Sequence, residues 1–238
     1  MRKSFVYSAL GMGTLSIIVW YFVSQQTKFS YVEPVVHSNQ DDNQTPSEET
    51  LPAAVNLDVP YVNEAPENIW TGSWKNGCEE AVIAMVDKYY QDIKTVSVSE
   101  AKIYLQNLFD VQKKTYGSDA NSDVKRTQEI ISNHASFRAQ IINNPTVEDI
   151  KKELAAGRPV IGFHRGFDLG NKNIPFLPTG SSYHTTVIKG YNQVQGKFIT
   201  NDPGDSKEGL DHMYTYDVYM KSLHDYNYVT SNTDGPPR

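Results

Sequence analysis

The sequence predicts an α+β domain. Segments with helical periodicity gather between Cys78 and Gly157, and short β-branched and aromatic segments follow them between Arg158 and Asp202. Helices first and strands second within one unit point to α+β rather than to alternating α/β. A third observation sets where the domain begins: residues 24–56 are poor in large apolar clusters and include the run "HSNQDDNQTPSEETLP". Such a composition cannot bury enough surface to offset the entropy of ordering and is expected to be a flexible tether. The domain is therefore expected over residues 57–230, with 231–238 as a disordered tail.

Ahead of the tether, Met1-Arg2-Lys3 precedes the largely apolar run Phe5–Val23, "FVYSALGMGTLSIIVWYFV". At ~1.5 Å per residue that run is long enough to cross a ~30 Å hydrocarbon core. No small-x-small cleavage site follows between Val23 and Ser30, so residues 1–23 are expected to be an uncleaved anchor, with a cleaved signal peptide as the competing reading. Positive charge before the run places the amino terminus in the cytoplasm and the domain outside. The expected location is the cell membrane, single-pass, with the domain extracytoplasmic.

The helical segments come next. Ala81, Val82, Met85, Val86 and Tyr89 form the apolar stripe of a helix headed by Cys78, the only cysteine among 238 residues. Asn76 has the character of an N-cap with Glu79 at the capping-box position, which would make Cys78 the second helical residue. Free N–H groups and the helix dipole at that position favour a thiolate. Glu80 is expected on a solvated or ion-paired face. Val98–Phe109 and Val124–His134 are amphipathic, and Thr146 with Asp149 caps "VEDIKKELAAG", which Gly157 ends.

The strands are "RPVIGFH", "SYHTTVIKGY" and "KFITND". Joining the last two by a turn over Asn192–Gly196 brings His184 beside Asp202. A carboxylate next to a histidine fixes the imidazole tautomer for general-base work. His37, His134, His164, His212 and His224 have no ligand spacing with one another or with the cysteine and are expected to be structural or exposed. Trp70 and Trp74 are core residues first and a substrate-cleft lip second. The net charge of −6 and the absence of a basic run exclude nucleic acid as a partner. A lone cysteine excludes an intrachain disulfide.

The blocks "LDVPYVNEAPENIW", "NGCEEAVIAM", "SYHTTVIKGYN" and "FITNDPG" resemble the papain-like cysteine peptidases related to the bacteriocin-processing, double-glycine leader peptidases. The resemblance runs from about Leu57 to Tyr228. It implies a papain-like fold, with a Cys-bearing helix packed on an antiparallel sheet that carries His and Asp. It also implies Cys78 as nucleophile, His184 as general base, Asp202 as its orienting residue, a peptide or protein substrate, and neither cofactor nor metal. Where many relatives have a glutamine that helps form the oxyanion hole, this chain has Glu64. Either Glu64 is held protonated as a neutral donor, or it points away and leaves the oxyanion to Asn76 and a backbone N–H, or activity is impaired. The function expected is hydrolysis of peptide bonds through a thioester. The alternatives are a peptide- or envelope-binding domain of the same fold without turnover, and an amidase or transpeptidase acting on cell-wall peptides.

Overall fold

Every helix expected from periodicity forms. The computed structural model describes residues 50–174, 183–231, 233, 235 and 236. Helix α1 (Cys78–Tyr90) follows a 3₁₀ turn over Gly72–Asn76. Helix α2 (Val98–Tyr116) starts on a capping box between Ser97 and Glu100, and α3 (Val124–His134) on the Asp123 cap. Helix α4 (Val147–Ala155) carries the expected Thr146–Asp149 capping box, and Gly157 follows it with φ +77°.

The sheet has five antiparallel strands: β1 (Ala54–Asn56), β2 (Val160–Arg165), β3 (Tyr183–Asn192), β4 (Lys197–Asn201) and β5 (His212–Thr215). The short helix α5 (Gly166–Leu169) follows β2, and α6 (Tyr216–Ser222) follows β5. Strand β3 is central. It pairs with β2 over Tyr183–Ile188, with β1 at its far end, and with β4 along its other edge. One apolar cluster joins Val82, Met85, Leu105 and Phe109 of α1 and α2 to Val187 of β3. A second joins Ile150, Leu154 and Tyr219 of α4 and α6 to Ile188, Tyr191 and Phe198. A bulge between Ile188 and Gly190 sends Ile188 and Tyr191 to the same cluster although they are an odd number of residues apart. The Cys-bearing helix thus lies against the strand that carries His184, in a mixed architecture that fits the papain-like fold.

Three expectations change. The tether was expected to reach Asn56, but Ala54–Asn56 pairs with β3, and Gly190 makes this possible: a Cβ there would lie 2.2 Å from the Val55 carbonyl oxygen. The tail expected to be disordered includes Gly235 and Pro236, which exchange backbone hydrogen bonds of 3.2 and 3.1 Å with Asp225. Placing His184 opposite Asp202 also required Val187 to face Ile199, whereas it faces Asn201. On the His184 side of the bulge the register is two residues further along than expected, and a shift by two keeps each side chain there on its own face. Among the described residues no helix is long and apolar enough to cross a membrane. Phe5–Val23 lies outside them.

Candidate active site

Helix α1 begins one residue later than expected. Asn76 ends the 3₁₀ turn, Gly77 is the N-cap without a side-chain hydrogen bond, and Cys78 is the first helical residue rather than the second. The turn is pinned by Trp74, whose ring meets Phe109 of α2 edge-on with centroids 5.1 Å apart. Gly77 is required by close approach: a Cβ there would lie 2.9 Å from the Glu64 carbonyl oxygen and 3.1 Å from the Phe109 ring. The segment bearing Glu64 is thereby brought against the head of α1.

His184 lies on β3 and Asp202 one residue past the end of β4. The His184 Nε2 is 2.7 Å from Asp202 Oδ1, and both residues are fully buried. Asp202 also accepts hydrogen bonds from Tyr214 at 2.5 Å, from the Gly204 N–H at 3.1 Å and from Asn171 at 3.3 Å. Burial by itself would raise its pKa, but His184 beside it and the Tyr214 hydrogen bond outweigh burial and hold it down at about 2. Asp202 is therefore an anion that fixes the His184 ring through Nε2.

Glu64 completes the group. The Glu64 N–H donates to the Pro203 carbonyl at 3.1 Å, and Tyr61 donates to the Asp205 carbonyl at 2.8 Å. Asn201 Nδ2 donates to the Val59 carbonyl at 3.0 Å and the Pro60 carbonyl at 3.2 Å. The 59–64 segment is thus tied to the loop that carries Asp202. One donor atom each from Glu64, Cys78 and His184 lies within 4.8 Å of the others. Both Glu64 carboxyl oxygens are buried without a hydrogen-bond partner among the described residues. Burial first, then the charges of Asp202, Glu79 and Glu80, push the Glu64 pKa well above the usual carboxylate range. Glu64 is the neutral acid in this arrangement, able to donate a hydrogen bond.

The Peptidase_C39 like family model matches residues 56–233. This chain belongs to that family. No curated protein sequence matches the chain.

In this Peptidase_C39-like domain the nucleophile candidate is not a free thiolate. Burial, with Glu79 and Glu64 beside it, pushes the Cys78 thiol well above its ordinary pKa. Its sulfur donates to Glu79 Oε2 at 3.0 Å, while Glu79 Oε1 accepts the Ser122 N–H at 2.6 Å. The helix-terminus argument for a thiolate is overturned, because desolvation and two adjacent carboxyl groups outweigh the dipole. Glu79 is consequently no capping-box residue, and Glu80 lies on no solvated face: each is 1 % exposed.

Glu80 Oε1 accepts from Gln112, and Oε2 has no partner among the described residues. Burial and the Glu79 charge raise its pKa well above the ordinary value. Stability from a carboxyl whose folded pKa is raised is complete below the unfolded value, about 4.3, and is lost as pH rises through the folded one. Glu80→Gln keeps an acceptor for Gln112 and removes that dependence. The variant is therefore expected to melt higher than wild type at about pH 8, with the gap closing towards about pH 4, in thermal unfolding followed by circular dichroism.

The remaining candidates divide. Trp74 packs on the core, and Trp70 is half-buried. Asn76 makes no side-chain hydrogen bond among the described residues, and it is not part of the Glu64–Cys78–His184 group. His164 sits opposite His184 on β2, bonded to Ser222 and Thr186 and held neutral with a pKa of about 3 by burial and by His184. The residues that sequence reasoning missed are Glu79, Tyr214, Asn171 and Ser122. Only the "CEE" run carried a signal, because acidic residues beside a buried cysteine need an explanation.

Proposed function

We propose that this chain is a membrane-anchored, extracytoplasmic cysteine peptidase that uses Cys78, His184 and Asp202. The observation that carries the reading is the Cys78–His184–Glu64 group within 4.8 Å, with Asp202 on His184 Nε2. His184 Nδ1 takes the thiol proton as the sulfur attacks the scissile carbonyl. The developing oxyanion is held by the Cys78 N–H, at the head of α1, and by the Glu64 carboxylic acid. His184 then protonates the leaving amine, and water, deprotonated by the same imidazole, hydrolyses the thioester. Because the thiol rests neutral against Glu79, proton transfer to His184 accompanies substrate binding instead of preceding it.

The buried, neutral thiol is the observation on the side of the second reading, a binding domain of the same fold without turnover. One experiment separates them and tests the anchor. Membranes from cells making the full chain are washed with salt and incubated with a fluorogenic peptide library. Cleavage that stays with the membrane pellet, and that protease added to intact cells releases, is the expected result. A soluble product starting within residues 24–56 removes the anchor, and no cleavage from folded protein favours the binding domain.

A further inference from the structure

We propose that Glu64, Cys78 and His184 form a binding site for a transition-metal dication, zinc by donor set, and that its occupation shuts the site to substrate. The shut-off rests on the reading of Cys78 as nucleophile; the binding does not. The first argument is geometric. The three donor atoms lie within 4.8 Å of one another. Bond lengths of about 2.0–2.3 Å at a tetrahedral centre require donor separations of about 3.3–3.8 Å, a contraction that side-chain rotation supplies.

The second argument is Glu64. A carboxyl group that is fully buried, without a hydrogen-bond partner for either oxygen among the described residues, and aimed at a sulfur and an imidazole, is expensive unless something binds it. A glutamine at this position supplies the hydrogen-bond donor for catalysis but not an anionic ligand. The third argument is the outer shell. Metal-bound histidines usually give their other ring nitrogen to a carboxylate, and Asp202 already holds His184 Nε2 at 2.7 Å. Asp202 in turn accepts from Tyr214, Gly204 and Asn171, which fixes the ring plane.

Charge is the fourth. Glu64, Glu79, Glu80 and Asp202 are all buried. Among the described residues no lysine or arginine forms an ion pair with any of them. A dication held by a thiolate, a carboxylate and a neutral imidazole makes a locally neutral complex at the centre of that group. Thiolate and imidazole select zinc over magnesium or calcium, and three protein ligands leave a fourth position for water. Binding displaces the thiol proton and the Glu64 carboxyl proton to bulk solvent. The bound sulfur no longer attacks, and the bound imidazole no longer accepts a proton.

The test titrates the purified full chain with Co²⁺ and then Zn²⁺. One equivalent of Co²⁺ is expected to give a thiolate-to-cobalt charge-transfer band in the near ultraviolet, which Zn²⁺ abolishes and Cys78→Ala lacks. Zinc affinity, measured by competition with a chromophoric chelator, should fall at least about a hundredfold in Glu64→Gln, since even outer-shell changes cost 10–100-fold. A variant that fails to fold is replaced by X-ray absorption of zinc-loaded wild type, where one sulfur at about 2.3 Å is expected. No charge-transfer band, a zinc shell of oxygen and nitrogen only, or unchanged affinity in folded Glu64→Gln overturns the site. The binding readouts need no turnover, so zinc bound by an inert chain upholds the site and removes the peptidase reading. Full turnover at stoichiometric zinc, together with no band in the Co²⁺ titration, removes the site and leaves the peptidase.

Discussion

Alanine at Cys78 or at His184 lowers peptide turnover by about 10⁴–10⁶-fold, the scale on which removal of a nucleophile or its base acts in triad enzymes. Cys78→Ala takes away the attacking sulfur and, with it, the hydrogen bond to Glu79 Oε2. Alanine fits the space, so folding is expected to survive. His184→Ala acts differently: it removes both the proton acceptor and the hydrogen-bond partner that Asp202, a buried carboxylate, has in Nε2. Stability falls along with rate, since an uncompensated buried charge costs several kcal/mol. Circular dichroism at low temperature, on protein that remains folded, separates the two losses. Asp202→Asn should cost less than either. Its oxygen still accepts from His184 Nε2, but its new amide meets the Asn171 amide that donates to Asp202 now. Loss of less than tenfold on Cys78→Ala would remove the peptidase assignment.

Glu64 gives the second large effect. Glu64→Ala is expected to lose about 10²–10³ in kcat, the typical cost of one oxyanion donor, whereas Glu64→Gln keeps the donor and the rate near neutral pH. The sign of the pH dependence follows from protonation. The Glu64 pKa is raised, first by burial and then by Asp202, Glu79 and Glu80. The donating acid is therefore complete below the folded pKa and is lost as pH rises through it. Wild-type kcat falls on the alkaline side, and Glu64→Gln holds its rate there. Stopped-flow or steady-state profiles of the three proteins across the alkaline range read this directly. Identical profiles would move the oxyanion to backbone N–H groups and Asn76. Inert wild type with an active Glu64→Gln would make the chain a disabled peptidase.

Much of the fold and of the site is legible in the sequence. The four longer helices were readable from apolar periodicity, and at Thr146 and Asp149 capping chemistry agreed with it. The nearness of His184 and Asp202 was readable from strand length and loop length alone, even though the register was two residues off, because that slip preserves the face. The local signals at the head of α1 misled. An asparagine followed three residues later by glutamate has the form of a capping box, but Asn76 was taken up by the 3₁₀ turn that Trp74 packs onto α2. Glu79 and Glu80 then fell inward, where Ser122 and Gln112, both distant in sequence, bind them. Whether a carboxylate is solvated or buried depends on such long-range partners, and periodicity does not carry them. Strands β1 and β5 and helix α6 escaped for a related reason: each is short and is held by pairing or packing with distant elements.

The central claim is that His184 activates the Cys78 sulfur. It is tested most directly by the rate at which a peptidyl electrophile alkylates Cys78, followed by intact mass, in wild type and in folded His184→Ala. Because the chain has one cysteine, one adduct reports one site. The account predicts single-site labelling at neutral pH in wild type and at least about a hundredfold slower labelling without His184, the lower end of what a positioned base contributes. Equal rates in the two proteins, or a wild-type sulfur no more reactive than a buried thiol with no base beside it, would contradict it.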